Sequence, residues 1–260
     1  MHRTGAQKRL PQIVAMGGGG FSMEPDNPLL DDYVLSLVER RPRVLFVPTA
    51  SGDSADYVAS FLAAFPPKRA RASHLPLFSR DGRDLRSTVL AQDVVYVGGG
   101  NTANLLAVWR AHGLDRILRE AWRAGVVLCG VSAGAMCWFE GGTTDSLGPA
   151  LSPLCDGLAF LRGSFTPHYD GEARRRPLHR RAVRTGALPA GYAADDGAAL
   201  HFVGRRLHAV VASRPHASAW HLERRGGRVV ETTLLARFLG ESVPRDAPSG
   251  PSSGTKRAGL

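Results

Sequence analysis

Cysteine and lysine are the scarce residues of this 260-residue chain. The three cysteines, Cys129, Cys137 and Cys155, are odd in number and too few for a disulfide framework, which points to a reducing compartment and a cytoplasmic location. No stretch approaches the roughly 20 unbroken apolar residues that a membrane span needs. The segment from Met1 to Gln12 is basic but has no apolar core and no small-residue cleavage site, so no secretory signal is expected. Neither G-x-x-x-x-G-K-[ST] nor G-x-G-x-x-G in a full βαβ setting occurs. No His/Cys cluster has ligand spacing, so no metal and no cofactor are expected.

Lysine occurs only at Lys8, Lys68 and Lys256, so nearly all of the 33 basic residues are arginine. The net charge of +10 would suit a polyanionic partner. Its distribution does not. The arginines are scattered, with local clusters only at Arg174 to Arg176 and at Arg180, Arg181 and Arg184, so neither a nucleic-acid nor a membrane partner is expected. An attraction for small acidic substrates stays open.

What is present is an ordinary globular composition, 43% hydrophobic and 22% charged, in apolar runs of alternating period. Buried strands are expected at 12–16, 43–48, 72–77, 93–97 and 126–131, and helices at 29–40, 56–65, 102–111 and 114–124. The helix over 29–40 rests on the spacing of Leu30, Val34, Leu37 and Val38, and the one over 114–124 stops at Gly125. Strands apolar on both faces and alternating with helices predict an α/β fold, a mainly parallel sheet covered on both sides. Shorter runs at 191–194, 198–203 and 206–212 complete one domain over 12–240. It is flanked by a flexible N-terminus (1–11) and a Pro/Ser/Gly-rich tail (241–260) expected to be disordered.

Four segments carry chemistry. Gly130-Val131-Ser132-Ala133-Gly134 is a G-x-S-x-G pattern between an apolar strand and a helix start. In that setting the serine is forced into a strained turn with its hydroxyl projecting over the strand ends. An ordinary βα turn with Ser132 as a helix N-cap is the bland alternative. Gly98-Gly99-Gly100-Asn101-Thr102 again joins a strand to a helix, and its uncovered N–H groups suit an oxyanion or another anion. Gly17 to Gly20 form a flexible turn beside the site. Ser164 to Asp170 contains His168, stiffened by Pro167, the histidine favoured as general base among nine. Asp195-Asp196-Gly197 offers a carboxylate to orient the imidazole, although Asp-Gly is also a routine hairpin turn.

Together these segments resemble peptidase family S51, which includes aspartyl dipeptidase (peptidase E) and cyanophycinase. The resemblance runs from about Ile13 to Ala212 and is carried by Tyr96-Val-Gly-Gly-Gly-Asn-Thr102 with Asn104-Leu-Leu106, by Gly130 to Ala135, by Pro167-His168 and by Asp196-Gly197. It implies a three-layer α/β/α sandwich like that of class I glutamine amidotransferases. It also implies a serine nucleophile at Ser132, a base at His168 and an acid at Asp196. Peptidase E has glutamate at the acid position, so Asp195 stays open as the partner. The stretch Trp138 to Ser146 resembles the peptidase E side of the family. The implied activity is hydrolysis of short peptides, dipeptides with N-terminal aspartate, through an acyl-enzyme. Gly99, Gly100 and Ala133 would form the oxyanion hole, and Asn101, Arg174 and Arg175 would bind substrate. The alternatives are an esterase or cyanophycinase-like specificity, or a non-catalytic binding protein. The expected partner is a small peptide, and a homodimer is compatible with the scaffold.

Overall fold

The computed structural model describes residues 9–39 and 41–240. The tail expected over 241–260 lies outside the described residues, as does the expected flexible N-terminus up to residue 8. Residues 9–11 pack against the domain: the Pro11 carbonyl accepts from Gly204 N–H, and Arg9 lies against Gly125.

The apolar runs form the strands of an α/β sandwich. Strands β1 (Gln12–Met16), β2 (Arg43–Val47), β3 (Arg71–His74), β4 (Val94–Val97) and β5 (Val127–Val131) are parallel neighbours in the order β1-β5-β4-β2-β3. Their alternate side chains enter two separate cores, as the two-residue period of a strand requires. Ile13, Ala15, Leu45, Val47, Val95, Val97 and Leu128 face one side. Val14, Met16, Val44, Phe46, Val94, Tyr96, Val127 and Cys129 face the other. Helices α4 (Thr102–His112) and α5 (Leu114–Ala124) cover the first face through Leu105, Trp109, Leu118 and Trp122. Helices α1 (Leu29–Ser36) and α2 (Ala55–Ala64) cover the second. There Phe21, Phe46, Phe61, Phe65 and Tyr96 pack edge to face, tilted or stacked, with centroids 4.6 to 6.4 Å apart.

The shorter runs at 191–194, 198–203 and 206–212 form strands as expected, but the sheets depart from a single mainly parallel one in two ways. Strands β10 (Ala198–Val203) and β11 (Arg206–Ala212) extend the main sheet antiparallel beyond β1, and β14 (Arg237–Phe238) closes that edge. A second sheet of six strands runs in the order β13-β12-β9-β8-β6-β7. It is built from β6 (Gly141–Thr144), β7 (Ser152–Leu154), β8 (Ser164–Thr166), β9 (Gly191–Ala194), β12 (Ala219–Arg225) and β13 (Arg228–Leu234). The arginine-rich stretch after His168 becomes helix α7 (Arg175–Thr185), which packs on this sheet. Short helices α3 (Leu85–Leu90) and α6 (Ala133–Met136) and two 3-10 turns, Gly20–Ser22 and Thr49–Ser51, complete the described elements. No helix among the described residues is long and apolar enough to cross a membrane.

The carboxyl ends of β1, β4 and β5 meet at one place, and there the chain changes from the first sheet to the second. Open α/β sheets put their ligand crevices at such points.

Candidate active site

Ser132 leaves the end of β5 with φ 55° and ψ −113°, in a region that costs a non-glycine residue about 1–3 kcal/mol. The flanking glycines make the turn possible by close approach. A Cβ on Gly130 would lie 2.1 Å from the Gly134 carbonyl oxygen, and one on Gly134 would lie 2.4 Å from the Val97 carbonyl oxygen. The helix-cap alternative does not hold, because the Ser132 side chain makes no capping bond to α6. Its Oγ instead lies 2.8 Å from His168 Nε2.

His168 follows β8 and Pro167 and also has a positive φ, 51°. Its Nδ1 is 2.6 Å from Asp196 Oδ1. A carboxylate acceptor at Nδ1 fixes that nitrogen as the N–H donor, so Nε2 is left to accept from the serine hydroxyl. The imidazole holds the Asp196 carboxyl below the usual aspartate range, against the opposing effect of burial. Asp195, the other candidate, is turned away from His168. It is buried and accepts from Ser218 N–H at 3.0 Å. Burial, with the Asp170 and Asp196 carboxyls nearby, pushes it up to about 7.

Three consecutive carbonyls at the end of β1 hold these segments together. Met16 accepts from Ser132 N–H at 3.1 Å, Gly17 from His168 N–H at 3.3 Å and Gly18 from Gly197 N–H at 3.1 Å. Asp170 adds a fourth tie, its Oδ1 accepting from Asp196 N–H at 2.9 Å. Gly17 must be glycine, since a Cβ there would lie 2.3 Å from the Asp195 carbonyl oxygen. The turn expected to be flexible is therefore the frame on which the site is assembled.

The glycine turn after β4 sits against the serine: a Cβ on Gly99 would lie 3.5 Å from Ser132 Cβ. Its members divide. Gly100 has φ +134° and packs on the Ala50 carbonyl, where a Cβ would lie 2.2 Å from the oxygen. Gly100 and Ala133 both line the cavity at Ser132, and neither amide N–H has a protein acceptor among the described residues. Gly99 departs from the expected role because its N–H already donates to the Tyr57 hydroxyl at 3.1 Å.

The cavity is small, about 190 Å³, and polar. Besides Ser132 and His168 it is lined by Thr102, Thr143, Thr144, Asp145, Glu172 and Arg175, among others. Two expected substrate contacts are placed elsewhere. Asn101 caps α4, its Oδ1 accepting from Asn104 N–H at 2.8 Å, while its amide donates to the Ser146 carbonyl at 3.0 Å. Arg174 is exposed and lines a different cavity with Ala150, Leu151 and Leu178. Arg175 does reach the site, but as a buried partner of Glu172 and the Thr143 carbonyl. Among the described residues no group of three or more His, Cys, Asp or Glu side chains is placed to hold a metal ion.

The sequence model of Peptidase family S51 matches residues 13–210. The chain belongs to peptidase family S51. It is 53% identical over 232 residues to the uncharacterized peptidase YgaJ of Bacillus subtilis (strain 168), a match covering 89% of this chain and 100% of that one. It is 30% identical to peptidase E of Streptomyces coelicolor over 53% of this chain and 56% of that one. The fold is shared with a crystal structure of a peptidase from an acI-B1 Actinobacterium, at a TM-score of 0.63 and 19% identity, covering 91% of this chain and 97% of that one.

For this S51 chain the residues that sequence reasoning passed over are Tyr57, Asp170, Asp145 and Glu172. Tyr57 and Asp170 act on the site through backbone bonds, for which no side-chain motif exists. Asp145 lay inside the Trp138–Ser146 stretch, and Glu172 stands three residues before Arg175, the spacing at which helical side chains meet.

Proposed function

We propose that this peptidase is a serine hydrolase of short peptides, acting through a Ser132–His168–Asp196 triad and an acyl-enzyme. The observation that carries the reading is the continuous hydrogen-bonded line from Ser132 Oγ through His168 to Asp196, at 2.8 and 2.6 Å, at the strained turn that exposes the serine.

His168 Nε2 takes the hydroxyl proton as Oγ attacks the peptide carbonyl carbon, and Asp196 stabilises the imidazolium that forms. The developing oxyanion is met by the N–H groups of Gly100 and Ala133, each worth about 3 kcal/mol in the transition state. His168 then returns the proton to the leaving amine. Water, deprotonated by the same nitrogen, attacks the acyl carbon and releases the acid. A cavity of about 190 Å³ is below the roughly 300 Å³ at which drug-sized ligand sites begin, which favours dipeptides over longer chains. An N-terminal aspartate, the preference that the family resemblance implies, would require Arg175 to exchange Glu172 for the substrate carboxylate.

The test is turnover of a panel of unblocked dipeptides by the wild type, Ser132→Ala and His168→Ala. The wild type should hydrolyse members of the panel, and each variant should lose about five to six orders of magnitude in kcat without the losses adding. Hydrolysis that survives Ser132→Ala would refute the proposal.

A further inference from the structure

The ionisable groups lining the cavity are Asp145, His168, Glu172 and Arg175. The single guanidinium among them is already engaged. Arg175 donates from Nε to Glu172 Oε2 at 2.9 Å, from Nη2 to Glu172 Oε1 at 3.0 Å and from Nη1 to the Thr143 carbonyl at 2.7 Å. Its side chain is 6% exposed, whereas that of Glu172 is 45% exposed. The two-pronged face that would grip a substrate carboxylate is thus filled by a carboxylate of the protein itself. What an incoming peptide meets is the outer side of that carboxylate. Asp145, also at the cavity, is exposed and has no ion-pair partner among the described residues. With Arg175 paired to Glu172, the Asp145 carboxylate is the acidic group of the lining that no cation offsets among the described residues.

From this arrangement we infer that the site selects against peptides whose first side chain is acidic, and that Glu172 is the specificity-determining residue that sets this preference by withholding Arg175. The inference rests on the serine-peptidase reading and narrows its substrate class to peptides with an uncharged first side chain and a free amino terminus. A free α-ammonium is attracted by Asp145 and Glu172, while an aspartate side chain is repelled by both. Specificity of this kind is set by the repulsive element as much as by the attractive one. Replacing Glu172 by glutamine keeps the shape and one acceptor for Arg175 but removes the cancelling charge, so the same cavity becomes one that welcomes a carboxylate.

Asp-Leu and Asn-Leu differ in charge at nearly constant shape and make the direct probe. The wild type should favour Asn-Leu over Asp-Leu in kcat/KM by about tenfold or more. Glu172→Gln should move that ratio toward Asp-Leu by about tenfold, and Asp145→Asn, which leaves the Arg175 anchor untouched, should move it in the same direction by less. Calorimetric binding of the two dipeptides to Ser132→Ala, alone and combined with Glu172→Gln or Asp145→Asn, reads the same selection without turnover. Absence of hydrolysis in the wild type would therefore strike the catalytic proposal alone. Tighter binding or faster turnover of Asp-Leu than of Asn-Leu before any charge is removed would overturn the inference. So would a ratio that neither variant shifts.

Discussion

Asp195 and Asp196 are adjacent in the chain and differ in everything else. Asp196 is held ionised by His168, whereas Asp195 is buried beside two other carboxyls and raised from 3.8 to about 7. Asp196→Asn should lower kcat by about four orders of magnitude, because an amide cannot fix the imidazole tautomer. Asp195→Asn should leave the rate within about an order of magnitude, and steady-state kinetics of the two variants separates the assignments. The same contrast predicts a pH dependence of stability. Between about 4 and 7 folded Asp195 keeps a proton that the unfolded chain has released, so its contribution to stability is complete below 3.8 and is lost as pH rises through about 7. His179 and His201, pushed down to about 4 by burial, act in the opposite sense and lose their contribution as pH falls from 6.5 toward 4. The difference in thermal midpoint between Asp195→Asn and wild type isolates the carboxyl: the variant should gain relative to wild type as pH rises from 4 to 8. A difference independent of pH would contradict the assignment. The family resemblance points to Asp196 and leaves Asp195 open, since Asp-Asp-Gly itself contains no sign of which side chain faces His168; in the fold Gly18 pairs with Asp196, and it is the Asp196 carboxyl that meets His168.

At the scale of elements, legibility followed period and composition. β1, β2, β4 and β5 are apolar on both faces and were readable as buried strands. The elbow after β5 was readable because its glycines are steric necessities. Gly134→Ala should therefore drive a methyl group into the Val97 carbonyl and destabilise the protein by about 1–3 kcal/mol, measured as a shift in denaturant midpoint, with activity falling as the turn moves. A silent Gly134→Ala would mean that the close approach between β4 and α6 is not real. Of the second sheet, β9 matches the run expected at 191–194, but the sheet itself was not expected, for the converse reason. β6 reads Gly-Gly-Thr-Thr, which lacks the apolar alternation that marks a strand. It is buried because backbone crowds it: a Cβ on Gly142 would lie 2.0 Å from the Phe165 carbonyl oxygen. α7 was obscured by its arginines, of which Arg176 and Arg180 both pair with Glu231 on β13. Glu231 lies 51 residues downstream of Arg180 and farther from Arg176, and no local pattern announces the pairing.

At the scale of the whole molecule, Ser132, His168 and Asp196 come from segments far apart in sequence, and each segment is tied to the end of β1, the first strand. The carbonyls of Met16, Gly17 and Gly18 make the site an extension of the main sheet rather than an assembly of independent loops. Hydrogen exchange should show this: the amides of Ser132, His168 and Gly197 should be protected together with those of β1, as one cooperative unit. Fast exchange of His168 alone would indicate a base loop that closes only on substrate. Whether this frame presents Ser132 as a nucleophile activated by His168 can be read by mass spectrometry after treatment with a fluorophosphonate. One adduct per chain is expected, mapped to Ser132, absent in Ser132→Ala and formed orders of magnitude more slowly in His168→Ala. A folded wild-type protein that takes no label, or takes it equally well without the imidazole, would contradict it.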